Sequence, residues 1–153
     1  MLHRFLLALS FIVACAATAS AQERQWSLDA GGEDAYLVFG VPDSDDVGIS
    51  LWCPVQSGEI NIFLPETSAT LEAGKDVPVV IKAGEEMAEL TGTTEANEDA
   101  GAVSVEVHAA ADLPVFSAML QADRFRLIVA GDEQIFPLVD ADFPDLLDIC
   151  RKP

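Results

Sequence analysis

The sequence predicts an all-β domain, an antiparallel β-sandwich or barrel of about eight or nine short strands with two short helices, one at the C-terminus. Three observations lead there. Apolar and polar residues alternate with period two in segment after segment. Gly, Pro and Asp break those segments every ten residues or so. The two cysteines left once an export signal is removed both fall on apolar faces.

Residues 1–21 read as a signal peptide and stand outside the fold. Met1-Leu2-His3-Arg4 carries positive charge, Phe5 to Ala14 forms an apolar core, and Ala19-Ser20-Ala21 offers the small residues signal peptidase requires, so cleavage is expected before Gln22. A membrane span needs about twenty apolar residues, and this stretch gives way to Ala, Thr and Ser after Cys15. A lipobox, Ile12-Val13-Ala14-Cys15, is the alternative, with Cys15 acylated; the Ala-Ser-Ala site downstream is the stronger of the two. Either route exports a single β-rich domain, residues 22–153, to the periplasm or beyond.

The 153 residues carry 26 acids against 8 bases, a net charge of -18, and half of them are apolar. That apolar fraction supports a packed core rather than disorder. A surface so anionic repels phosphate backbones and anionic lipid, which excludes nucleic acid as a partner and favours cationic ones, a basic protein above all.

In Val47-Gly48-Ile49-Ser50-Leu51-Trp52-Cys53, apolar side chains at 47, 49, 51 and 53 share one strand face, so Cys53 points inward. In the terminal segment Asp142 to Lys152, a helix places Phe143, Leu146, Leu147 and Cys150 on one stripe. Asp142 is its expected N-cap, Pro144 suits its first turn, and Arg151 and Lys152 stand at the negative end of its dipole. Both sulfurs are thus aimed at the interior, and a Cys53–Cys150 disulfide is predicted to pin the terminal helix onto the sheet. A catalytic thiol would need a neighbouring base, which the sequence does not supply.

The other strands follow in order. Asp34 to Val41 ends at Pro42, Gly58 to Leu64 ends at Pro65, and Val77 to Lys82 stops at Ala83-Gly84. Met87 to Thr94 and Val103 to His108 flank a polar hairpin loop, Glu95 to Gly101; Arg124 to Ala130 and Glu133 to Val139 flank Gly131-Asp132 as a two-residue turn. Trp26 to Asp29 adds an N-terminal strand. The second helix spans Asp112 to Leu120, capped by Asp112, with Phe116, Met119 and Leu120 as its apolar stripe.

Chemistry is sparse. The loop Pro42-Asp43-Ser44-Asp45-Asp46 begins like a calcium loop, yet position five is Val47 and position twelve is Pro54, so a solvated turn explains it better. After export His108 is the sole histidine, and period two puts it with Ser104 and Glu106 on a solvent face, too far apart along one strand to form a catalytic relay. No cofactor motif, zinc cluster or nucleophile elbow is present. Trp52, opposite Cys53 and beside the acidic loop, is a candidate interface anchor with Asp43, Asp45 and Asp46, unless a second layer covers it.

The run Gly40 to Asp46 leading into Leu51-Trp52-Cys53, with Phe125 to Val129, Phe136-Pro137-Leu138 and Asp140 to Cys150, resembles small exported alphaproteobacterial proteins of unknown function that end in a hairpin, a short helix and a final cysteine. The resemblance implies a secreted β-rich domain with one disulfide and brings no activity or site residues with it. The sequence therefore points to a soluble periplasmic, non-catalytic binding module with no cofactor. The alternatives are an extracytoplasmic hydrolase using His108 or a carboxylate pair, and a calcium-binding or structural envelope protein.

Overall fold

Period-two alternation, rather than any helical periodicity, builds nearly the whole molecule. The structure is a computed structural model describing residues 23–67, 69–98 and 101–152; the expected signal peptide and its lipobox alternative at Cys15 lie outside them. Nine strands form, β1 (Gln25–Asp29), β2 (Asp34–Gly40), β3 (Val47–Pro54), β4 (Glu59–Leu64), β5 (Asp76–Ala83), β6 (Glu86–Asn97), β7 (Ala102–Ala110), β8 (Arg124–Val129) and β9 (Asp132–Pro137). Helix α1 (Pro114–Met119) separates β7 from β8, and α2 (Phe143–Cys150) follows β9.

All nine strands join one antiparallel sheet in the order β1-β2-β3-β4-β7-β6-β5-β8-β9, curled into a half-barrel. The meander β5-β6-β7 is inserted as a block, so β4 pairs with β7 and β5 with β8. The inner face carries Leu37, Ile49, Leu51, Ile60, Ile62, Val79, Ile81, Val105, Val107 and Leu127, each no more than 1% exposed. Both helices close this face, α1 against β5 and β6, α2 against β2 and β3. Phe116 of α1 meets Phe143 of α2 with ring centroids 6.3 Å apart.

The Cys53–Cys150 disulfide is present, with Cα atoms 5.7 Å apart and both residues fully buried. Phe143, Leu146, Leu147 and Cys150 are the buried stripe of α2, as its spacing requires. The two rims of the sheet approach each other through side chains. Trp26 of β1 donates its indole N–H to the Pro137 carbonyl of β9 at 2.6 Å. Behind that bond Trp26 packs on Phe39, Phe39 on Phe136, and Phe136 on Phe125.

Several local expectations are corrected. The β8–β9 turn is Ala130-Gly131, not Gly131-Asp132: Val129 pairs with Asp132, and both turn residues have positive φ, 48° and 89°, as a two-residue hairpin twisted with its strands demands. Glu95, Ala96 and Asn97 belong to β6, since they pair with Ser104, Val103 and Ala102 and leave a shorter loop. Leu113 rather than Asp112 is the N-cap of α1; Asp142 is the N-cap residue of α2 as expected, but without a side-chain cap bond. The stripe of α1 is Val115, Phe116 and Met119, while Leu120 is 38% exposed beyond the last turn. Ser104 is buried, its hydroxyl donating to the Glu95 carbonyl, rather than facing solvent beside His108.

Candidate functional site

Strand register sets one row of side chains across the outer face of the sheet. Tyr36 of β2 pairs with Trp52 of β3, Trp52 with Asn61 of β4, and Asn61 with His108 of β7. Each of these residues alternates with a buried inner neighbour, Leu37, Cys53, Ile62 and Val107, which is why they point outward. The row spans four strands and about 15 Å, given a strand spacing near 4.8 Å.

At one end Tyr36 and Trp52 stack, their centroids 5.7 Å apart and their planes 17° from parallel. Tyr36 is 39% exposed and Trp52 is half-buried. The Tyr36 hydroxyl lies 3.5 Å from an Asp34 carboxylate oxygen two residues away on the same face. Desolvation, followed by the Asp34 charge and the hydrogen bond to it, holds the phenol above its ordinary pKa of 10.0.

At the other end, buried Asn61 meets exposed His108, Oδ1 to Nδ1 at 2.5 Å. The amide oxygen can only accept, so with this amide orientation the histidine Nδ1 carries the hydrogen and Nε2 is the basic nitrogen of the neutral ring. Asn61 is thereby satisfied in place, and the imidazole is fixed in orientation.

The structure separates Trp52 from the acidic loop. Trp52 lies six residues along β3 from Asp46, about 20 Å, and its neighbours are Tyr36 and Asn61 rather than the aspartates. Among the described residues Trp52 stays half-buried, its outer side shielded in part by the stacked Tyr36 ring. The loop itself is closed by its own bonds: the Ser44 hydroxyl donates to the Val41 carbonyl and accepts from the Asp46 N–H, and Asp43 adopts a positive φ of 56°. Arg24 engages the Asp46 carboxylate through Nε at 2.8 Å and a second guanidinium nitrogen. A cation therefore already neutralises the best-placed acid, while Asp43 and Asp45 are exposed. Among the described residues no group of three His, Cys, Asp or Glu is placed to hold a metal ion.

No family model, curated protein or solved structure matches this chain. Among the described residues no helix is long and apolar enough to cross a membrane.

Sequence reasoning singled out Trp52 and His108 separately and passed over Asn61 and the Tyr36–Trp52 stack. Asn61 sits in Glu59-Ile60-Asn61-Ile62-Phe63-Leu64, where alternation alone marks it as an outward residue. Its significance comes from β4 pairing with β7 rather than with β5, which the local pattern does not encode.

Proposed function

We propose that this chain is an extracytoplasmic binding module, without a catalytic step, whose outer sheet face takes a cationic ligand such as an arginine- or lysine-rich segment of a basic protein. The observation that carries the reading is the Tyr36–Trp52 stack with the Asp34 carboxylate beside it. Aromatic faces attract guanidinium and ammonium groups, by about 0.5–1 kcal/mol at exposed sites, and a carboxylate alongside adds a charge-assisted bond. A net charge of -18 draws such ligands in from a distance.

The test uses Trp26→Phe, which leaves Trp52 as the sole tryptophan of the two in the chain. An oligo-arginine peptide should change Trp52 fluorescence saturably, with affinity falling as salt rises. Calorimetry should show weaker binding of the peptide to Trp52→Leu and Asp34→Asn in the wild-type background. Equal affinity for wild type and Trp52→Leu rejects the site.

A second reading, an extracytoplasmic hydrolase, is favoured by the Asn61–His108 bond, which presents Nε2 as a base of fixed orientation. Among the described residues no hydroxyl or thiol is hydrogen-bonded to Nε2, so a water molecule would have to be the nucleophile. Loss of any hydrolytic activity in His108→Ala, with unchanged stability, would favour this reading over the first.

A further inference from the structure

We infer that the cleft between the end of β7 and the tail of α2 is an anion site that takes a small organic carboxylate. This goes beyond the outer-face row and asks for the opposite charge. The cleft, about 400 Å³, is lined by Gly58, Ala110, Ala111, Asp112, Arg151 and Lys152. That size suits a small molecule.

Arg151 is held in place by hydrogen bonds, and the alkyl stem of Lys152 lies against the wall of the cleft. Arg151 donates from Nε to the Ala111 carbonyl at 3.4 Å and from a terminal nitrogen to the Ser117 hydroxyl at 3.0 Å. The Lys152 alkyl chain lies on Gly58 so closely that a Cβ there would stand 2.9 Å from Cε and 3.1 Å from Cδ. Gly58 is itself anchored, its N–H donating to the Cys150 carbonyl and its carbonyl accepting from the Ala111 N–H. The disulfide at Cys150 fixes the same corner from within.

Elsewhere two bases find carboxylates: Arg24 takes Asp46, and Arg126 lies 4.0 Å from Glu133. Neither Arg151 nor Lys152 forms an ion pair among the described residues, although Asp112 lines the same cleft. Lys75, Lys82 and Arg124 are also without such a pair among the described residues, but only Arg151 and Lys152 stand together in this cleft. Arg151, whose guanidinium is already tied to the Ala111 carbonyl and the Ser117 hydroxyl, contributes to anion recognition at little ordering cost, and the Lys152 ammonium beside it adds a second positive charge. Asp112 leaves the cleft with one net positive charge, which matches a monocarboxylate and disfavours a doubly charged phosphate. Ala110 and Ala111 supply an apolar wall for the carbon chain.

The experiment is residue-resolved NMR on the exported protein, titrated with sodium propionate and, separately, with sodium chloride and inorganic phosphate. Propionate should shift the amides of Gly58, Ala111, Asp112 and Lys152 saturably, and chloride should not. Lys152→Gln should weaken propionate about tenfold, as loss of one charge-assisted bond predicts, and Asp112→Asn should strengthen it and admit phosphate. Unsaturable shifts, shifts matched by chloride, or equal affinity in Lys152→Gln overturn the site. Since Lys152 makes no side-chain hydrogen bond or ion pair among the described residues, its variant should fold, and an Arg151 variant is not needed to decide the matter.

Discussion

The indole N–H of Trp26 and the carbonyl oxygen of Pro137, 111 residues apart, are hydrogen-bonded at 2.6 Å and join the first strand to the last. The two residues occupy the outermost strands of the sheet, so this bond and the aromatic contacts behind it act where no ladder does.

Replacing the donor while keeping an aromatic ring, Trp26→Phe, should cost about 1 kcal/mol, the usual worth of one hydrogen bond. Amide exchange in β1 and β9 should quicken more than in β4 or β7, because rim opening is local. Uniform acceleration across the sheet would show that the rims do not open independently.

Removing the bridge by Cys53→Ala with Cys150→Ala should lower stability by about 4–5 kcal/mol in the chain-entropy account, given a closed loop of 97 residues. Denaturant titration reads it. The native protein should show no reactive thiol, and modest reductant should leave the bridge intact until the chain is unfolded, since both residues are fully buried.

Gly92 sits where β6 passes closest to its neighbours. A Cβ there would meet Val105 Cγ1 at 2.8 Å and Val79 Cγ2 at 3.0 Å, with the Glu106 carbonyl oxygen 3.2 Å away. Gly92→Ala should therefore destabilise the protein by about 1–3 kcal/mol through overpacking, despite alanine's better fit to strand backbone. A melting temperature equal to wild type would contradict the packing seen here.

Tyr36 is the single tyrosine, so phenolate absorbance reads it alone. Its midpoint should lie above 10.0 and fall in Asp34→Asn, which removes the charge that helps to raise it and leaves at most a neutral acceptor for the phenol. With the folded pKa raised, the linked stability is intact below pH 10 or so and is lost as pH climbs through the folded value. An unchanged midpoint in Asp34→Asn would place the cause in desolvation alone.

Much of this fold is legible in the sequence because its elements are governed by local rules. Ile49, Leu51 and Cys53 alternate onto the inner face, and Phe143, Leu146, Leu147 and Cys150 repeat at helical spacing, so the disulfide follows from two independent periodicities. What escaped is non-local. That β4 neighbours β7, bringing Asn61 to His108, depends on a three-strand block folding back as a unit. Turn placement failed by one residue at Ala130 because alanine carries no sequence mark for a positive φ, and the hairpin register imposes it. The start of α2 at Asp142 is legible, although its side chain makes no cap bond, whereas α1 begins one residue later than Asp112, with Leu113 as its N-cap.

Helix α2 is the last of the described elements to leave the ribosome, yet its cysteine is bonded to a partner translated 97 residues earlier. A chain threaded N-terminus first must hold the apolar trough formed by β2 and β3 open, unsealed, until its tail arrives. Oxidation of that pair is thus a timestamp on completed maturation, and a molecule truncated before Cys150 would display a greasy cavity to chaperones and proteases.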